Sequence, residues 1–230
     1  KAKERLTGLK ANYQEDLGAT QEAVDTAYDR LSLYTDLAEA VKDVDLVIEA
    51  VPEVIDIKKA FYENLSKVAP QNTIFASNSS TMIPSQLVEF TGRPEKFLHL
   101  HFANRIWVNN TAEIMKHEGT DPKVFEEVIE FAKAINMIAL PIHKEQPGYI
   151  LNSLLVPFLD AAQNLVANGI ADPETVDKTW MAGMGVNRGP FGVLDIIGLN
   201  TPYNIALQKA KSGNEQKAKI AEYFKTELID

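Results

Sequence analysis

Cysteine is absent from the 230 residues, which excludes a disulfide framework and any thiolate metal site. Aromatic residues are sparse at 8%, and 23 lysines and arginines are outnumbered by 32 aspartates and glutamates, for a formal net charge of −9. That excess disfavours nucleic acid or an anionic membrane surface as the main partner, while leaving room for a local basic pocket that takes an anionic ligand. Long uninterrupted apolar runs are also lacking. The most apolar stretch, residues 149–162, is broken by Asn152, Ser153 and Pro157, and the opening KAKERLTGLK has no secretory character. The expectation is a soluble chain of a reducing cytoplasm, without a metal.

What is present is ordinary globular material, 45% hydrophobic and 24% charged, long enough for one or two domains. Residues 1–16 and 21–30 read as helices, the first with Leu6, Leu9 and Tyr13 at helical spacing, the second with Thr20 as its N-cap. An alternation follows. Strand-like segments at 31–35, 45–51, 73–76, 97–102 and 138–142 are separated by helical ones at 36–42, 54–68, 84–90 and 121–135. The continuous apolar run DLVIEAV at 45–51 has the character of a central parallel strand. This alternation implies a doubly wound α/β domain. After Glu145-Gln146-Pro147-Gly148 the texture changes, and 149–167, 173–181, 191–197, 202–211 and 215–228 all read as helices. The boundary is therefore placed near 145, between an α/β part over 1–145 and an all-α part over 146–230. Pro157, inside the first of those helices, should remove a backbone hydrogen bond and bend the axis.

Residues 96–118, KFLHLHFANRIWVNNTAEIMKHE, read as two strands that can pair. His101 closes the apolar run of Phe97, Leu98, Leu100 and Phe102, and Glu113 opens a second run with Ile114 and Met115. Pairing brings imidazole and carboxylate together, the minimum apparatus for a general base held in one tautomer. The plainer reading is a packed structural histidine.

Ser80 lies in FASNSST, Asn104 follows His101 in HFAN, and Asn152 lies in QPGYILNSLLVPFL. In that order these segments resemble the 3-hydroxyacyl-CoA dehydrogenase family. Its pattern is a serine after a strand, a His-Phe-Phe-Asn turn, a glutamate, and Pro-Gly-Phe-x-x-Asn opening a helical domain. The similarity runs from roughly 45 to 204, and ADPETVDKTW with RGPFGVLDIIGLNT resembles the family's second domain closely. The resemblance implies a Rossmann-like domain, then an all-α domain through which the protein forms a homodimer and covers its substrate. It implies NAD as cofactor and an acyl-CoA substrate, 3-hydroxybutyryl-CoA and acetoacetyl-CoA being the short-chain pair.

The same resemblance implies that His101 exchanges a proton with the 3-hydroxyl while hydride moves to or from nicotinamide, and that Glu113 orients the imidazole. Ser80 and Asn152 would donate hydrogen bonds to the 3-oxygen, with Ser79 as the alternative one residue away. Their plainer readings are a helix N-cap and a polar hinge residue. Glu53, Lys58, Asn104 and Ser80 match positions that touch the cofactor, Glu53 and Lys58 having a solvated helix start as their plainer reading. His99, His117 and His143 match no catalytic position.

One expected motif is missing. No G-x-G-x-x-G follows a strand, and the nearest match, Gly183-Met184-Gly185, has Arg188 at its third position and follows a predicted helix. The expectation is a truncated Rossmann-like domain, short of a first βαβ unit and of a C-terminal Gly-rich tail, that binds a dinucleotide poorly. The loop after His101 also departs from the family, with Ala103 for the second Phe and Arg105, Ile106 and Trp107 after Asn104. Arg105 motivates an alternative substrate, a free hydroxy acid of the L-gulonate 3-dehydrogenase/lambda-crystallin type, since a guanidinium pairs with a carboxylate. The missing glycine loop motivates a third reading, a non-catalytic dimerisation module.

Overall fold

In a strand successive side chains enter opposite faces of the sheet, and this period organises the first half of the protein. The computed structural model describes residues 2–229. Its five strands are β1 (Leu46–Glu49), β2 (Ile74–Ser77), β3 (Phe97–Phe102), β4 (Thr111–Met115) and β5 (Ile138–Ile142), in spatial order β1-β2-β3-β4-β5. β1, β2 and β3 run parallel; β4 reverses against β3, and β5 runs parallel to β4. Ile74, Ala76, Leu98, Leu100, Ala112 and Ile114 form one face, closed by Val124, Phe125, Val128, Ile129 and Ala132 of helix α5 (Pro122–Ala134). The opposite face carries Phe75 and Phe97, packed on Tyr62 and Leu65 of α4 (Ile55–Val68) and on Val41 of α3 (Leu37–Val41). His99, His101, Glu113 and Met115 alternate with the α5-facing residues and therefore belong to that second face.

Two helices precede the sheet, α1 (Ala2–Leu17) and α2 (Gln21–Asp29), and Thr20 caps α2 by accepting from the Ala23 N–H. Lys1, the first residue of the expected α1, lies outside the described residues.

Three expectations are corrected. Residues 31–35 form no strand: Leu31, Leu33 and Tyr34 are exposed, and no strand lies beyond β1 to supply ladder partners among the described residues. DLVIEAV consequently contributes an edge strand rather than a central one, with Ile48 exposed. The helix expected at 84–90 is two short 3₁₀ turns, Pro84–Gln86 and Val88–Phe90. The first starts at Pro84, whose carbonyl accepts from the Leu87 N–H at 3.0 Å in the i→i+3 pattern of a 3₁₀ turn.

The chain forms two compact units, 1–150 and 151–230, the division falling just inside α6 (Tyr149–Ala167), a few residues past the turn near 145. The reason is local: Tyr149 is fully buried in the first unit and the Ile150 N–H donates to Glu113. The second unit is all-α, with α7 (Pro173–Met184), α8 (Pro190–Ile197), α9 (Asn200–Lys211), α10 (Glu215–Tyr223) and a final π-turn, Phe224–Leu228. Leu159, Ala162 and Val166 of α6 pack with Phe191, Leu194, Ala206, Ile220 and Phe224. The Asp177 carboxylate accepts from the N–H groups of Phe191 (2.7 Å) and Gly192 (2.9 Å) at the start of α8. A Cβ at Gly189 would lie 2.6 Å from the Asp177 Cα, so only glycine permits this approach.

The first unit is also tied by Arg93, which is buried and donates to the carbonyls of Pro70 (2.6 Å), Thr73 (3.2 Å) and Ala69 (3.4 Å) while lying over the Phe75 ring. Arg93→Met keeps much of the volume and strands these acceptors, so urea unfolding should show a loss of about 2–4 kcal/mol. A loss below about 0.5 kcal/mol, the range of an unconnected surface change, would contradict this role.

Candidate active site

Antiparallel pairing sets His101 directly opposite Glu113. Both are buried, at 6% and 2% exposure, and His101 Nδ1 lies 3.0 Å from Glu113 Oε2. The other carboxylate oxygen, Oε1, accepts from the Ile150 N–H at 2.9 Å. A carboxylate oxygen accepts, so Nδ1 carries the proton of the neutral imidazole and Nε2 is left with the lone pair. The imidazole lies against the Tyr149 ring, with centroids 4.5 Å apart and planes 23° from parallel. This half of the site is a fixed, correctly protonated base, aimed by an acid that is itself held at both oxygens.

A second cluster joins the carboxyl ends of β1 and β2. Glu49, the last residue of β1, is 1% exposed and accepts from Lys58 Nζ (2.7 Å), the Val51 N–H (2.7 Å), Ser77 Oγ (2.7 Å) and Tyr62 OH (3.3 Å). Lys58, also 1% exposed, spans to Glu53 Oε2 at 3.1 Å. Glu53 Oε1 accepts from Ser79 Oγ, from the Ser80 and Thr81 N–H groups (both 3.1 Å) and from Thr81 Oγ1 (2.8 Å). Partial burial pushes the Glu53 carboxyl up, but the bonds from Ser79, Thr81 and Lys58 outweigh it and hold the group down at about 2. Glu53 and Lys58, expected at a cofactor site, form one network with Glu49, which the sequence did not single out, and the Lys58 ammonium is held between two carboxylates.

Ser80 is exposed, at the bend after β2, and Asn104 is exposed after β3, its carbonyl accepting from Asn109 Nδ2 at 2.8 Å. Asn152 lies half-buried in the first turn of α6 and belongs to the second unit. Ser79, the alternative to Ser80, is buried and bound to Glu53, and its Oγ also accepts from the Met82 N–H.

Two further features were not found from sequence. Tyr149 donates its hydroxyl proton to the Ser79 carbonyl (2.6 Å) and meets His99 Nδ1 at 2.9 Å. The loop after β3 is clasped to α1, where Asp16 Oδ2 accepts from both Arg105 and Trp107, each at 2.7 Å, and Tyr13 packs on Trp107. Arg105 is thus engaged by a carboxylate of its own chain. Among the described residues no three His, Asp or Glu side chains converge as a metal site requires.

The Glu53 network predicts a pH dependence. A carboxyl whose folded pKa is depressed stabilises the fold fully above its unfolded pKa and loses that contribution as pH falls through the folded value. The stability gap between the native protein and Glu53→Gln should therefore be constant near neutrality and close as pH falls from the ordinary 4.5 toward about 2. Urea midpoints measured against pH check it, and a gap that ignores this window would refute the depressed carboxyl.

Comparison with known proteins bears on all of these groups. Residues 1–146 match the NAD binding domain of 3-hydroxyacyl-CoA dehydrogenase, and residues 148–228 match that enzyme's C-terminal domain. The mitochondrial hydroxyacyl-coenzyme A dehydrogenase of Homo sapiens is 36% identical over 192 residues, 84% of this chain and 61% of that protein. The 3-hydroxybutyryl-CoA dehydrogenase of Clostridioides difficile is 32% identical over 162 residues, 70% of this chain and 57% of that protein. The chain thus spans less than two thirds of either relative. Among solved structures, a diketoreductase described for substrate-directed dual catalysis of dicarbonyl compounds superposes with a TM-score of 0.92 at 52% identity, covering 100% of this chain and 80% of that one. With both family domains matched in order along the sequence, and the histidine–glutamate pair standing between paired strands of the first, the chain belongs to the 3-hydroxyacyl-CoA dehydrogenase family.

Proposed function

We propose that this chain carries the acid/base apparatus of an NAD-dependent dehydrogenase that interconverts an (S)-3-hydroxyacyl-CoA and the 3-oxoacyl-CoA. The observation that carries the proposal is the buried contact between His101 Nδ1 and Glu113, which leaves Nε2 as the basic atom. NAD, when bound, supplies the hydride acceptor. His101 Nε2 takes the proton of the 3-hydroxyl, so that neither a bare alkoxide nor a carbocation has to form, and Glu113 favours the resulting imidazolium. In the reverse direction the imidazolium returns the proton to the carbonyl oxygen. Ser80 and Asn152 are proposed as donors to that oxygen, where negative charge develops.

The chain's residues fit one half of the dinucleotide. Asn104 and Ser80 present exposed polar side chains after β3 and β2, with Glu53 after β1, at the carboxyl edge where open α/β sheets bind ligands. This set suits a nicotinamide riboside. Lys58, buried between Glu49 and Glu53, acts on a cofactor by fixing Glu53 rather than through its own charge. The glycine-rich donors that cradle a pyrophosphate are not among the 230 residues.

A second reading has its own support: the 52% identity with the diketoreductase, together with a loop after His101 that Asp16 fastens through Arg105 and Trp107. Under it the substrate is a dicarbonyl compound without coenzyme A. The complete gene product, assayed by NADH oxidation with acetoacetyl-CoA and with a small diketo ester, separates the two. Preference for acetoacetyl-CoA supports the first, and turnover of the diketo ester alone overturns it. In either case His101→Gln should lower kcat on the order of 10²- to 10⁴-fold with the fold intact by circular dichroism, and near-native turnover would remove the acid/base assignment.

A homodimer through the helical unit is proposed on the apolar side chains exposed there, Leu154 and Ile170 (each 69% exposed), Met184 and Trp180. By length and composition α6 passes for a membrane span, but it supplies Leu159, Ala162 and Val166 to a core, and a second copy accounts for its outer face. Leu154→Asp should shift sedimentation from dimer to monomer, and an unchanged dimer would exclude this face. The cysteine-free sequence suits a reducing compartment such as the cytoplasm.

A further inference from the structure

Tyr149 is given no part in the chemistry above, yet it is the side chain most completely built into the base. It is fully buried, and its backbone sits at φ 57°, directly after Gly148 at φ 79°, in the left-handed region that a residue with a Cβ avoids. Such a conformation persists only where the surroundings over-determine it. Here they do so from both ends. The hydroxyl has a single proton, given to the Ser79 carbonyl at 2.6 Å, so at the 2.9 Å contact it accepts from His99 Nδ1–H. His99 is thereby fixed with its proton on Nδ1 and its buried Nε2 unpartnered among the described residues. Burial first, and then the neighbouring Lys58 ammonium, hold His99 down at about 3, so it is a neutral donor throughout the working range. The next backbone N–H, that of Ile150, anchors Glu113.

We propose that Tyr149 is a positioning residue for His101: its buried ring, set by the left-handed backbone at 148–149, lies against one face of the imidazole, and the π face of that ring favours the imidazolium formed during turnover, while its hydroxyl adds stability through Ser79 and His99. A cation within about 6 Å of an aromatic centroid is attracted by the ring quadrupole, and the 4.5 Å stacking meets that condition once His101 takes a proton. The other groups facing this pair are Glu113 from β4, His99 from β3, and Glu49, Glu53 and Lys58 from the β1 side; none is substituted in the test, and His99 loses its Tyr149 partner equally in every phenylalanine variant. The proposal rests on His101 being the acid/base group.

The test uses the complete gene product with ¹⁵N-labelled histidine, the His101 signal being assigned by its absence in His101→Gln. Position 149 is varied as Tyr, Phe and a series of ring-fluorinated phenylalanines, which keep the shape and weaken the quadrupole. Tyr149→Phe should leave the His101 titration midpoint within about 0.2 pH unit while lowering the urea midpoint, because the His99 Nδ1–H and the Ser79 carbonyl lose their partner. Progressive fluorination should lower the His101 midpoint stepwise, by about 0.5 pH unit in all, with kcat falling and KM holding. A fluorination series flat in midpoint, or a Tyr149→Phe change as large as the fluorinated extreme, would overturn the proposal. The titration is read without substrate, so absence of turnover with acetoacetyl-CoA would count against the proposed reaction and not against the role of Tyr149.

Discussion

The reversal of β4 against β3 is the constraint on which the site depends. Parallel strands need a long crossover between them, whereas an antiparallel pair fixes each residue opposite one partner. Only that arrangement puts His101 across from Glu113 on the face away from α5. A slip of one residue in either strand would turn its member of the pair into the packed layer of Leu98, Leu100, Ala112 and Ile114 and part it from the other. The register is therefore held by the same hydrophobic alternation that builds the core, and the dyad inherits its geometry from packing rather than from a flexible loop.

Burying the dyad and the Glu49–Lys58 pair carries a desolvation cost that mutual attraction alone often fails to recover. The structure meets it with hydrogen bonds at every carboxylate oxygen of the two buried acids: Glu49 receives four donors, and Glu113 is held by His101 and the Ile150 N–H. The outcome is a carboxyl edge whose polar groups have one arrangement each. Such pre-organisation is what an acid/base reaction needs, since the groups do not reorient as charge moves. Asp16 extends the same logic outward. An aspartate in the last turn of α1 opposes the helix dipole, and its contacts with Arg105 and Trp107 offset that while fastening the loop that bears Asn104.

Much of this was legible in the sequence, where a physical signal is local. The period-2 run before His101, the run after Glu113, the Thr20 cap and the change of texture after Gly148 each depend on neighbours a few residues away. Signals that depend on a partner were not. Residues 31–35 have strand-like composition but no adjacent strand, and remain irregular. Lys58 looks like an exposed charge at a helix start, and only the fold reveals that it points between two acids. Asp16 and Arg105 are 89 residues apart, and nothing in either segment announces the other. Tyr149 could have been singled out where the family pattern has Phe, because a buried hydroxyl demands partners.

The central claim is that Glu113 holds His101 with its proton on Nδ1 and Nε2 free to accept. Its most direct measurement is the ¹⁵N spectrum of the selectively labelled histidine across the neutral range. The account predicts that the neutral ring carries its proton on Nδ1 and leaves Nε2 bare. A neutral His101 carrying its proton on Nε2 would contradict it, because the atom meant to take the substrate's proton would already be occupied.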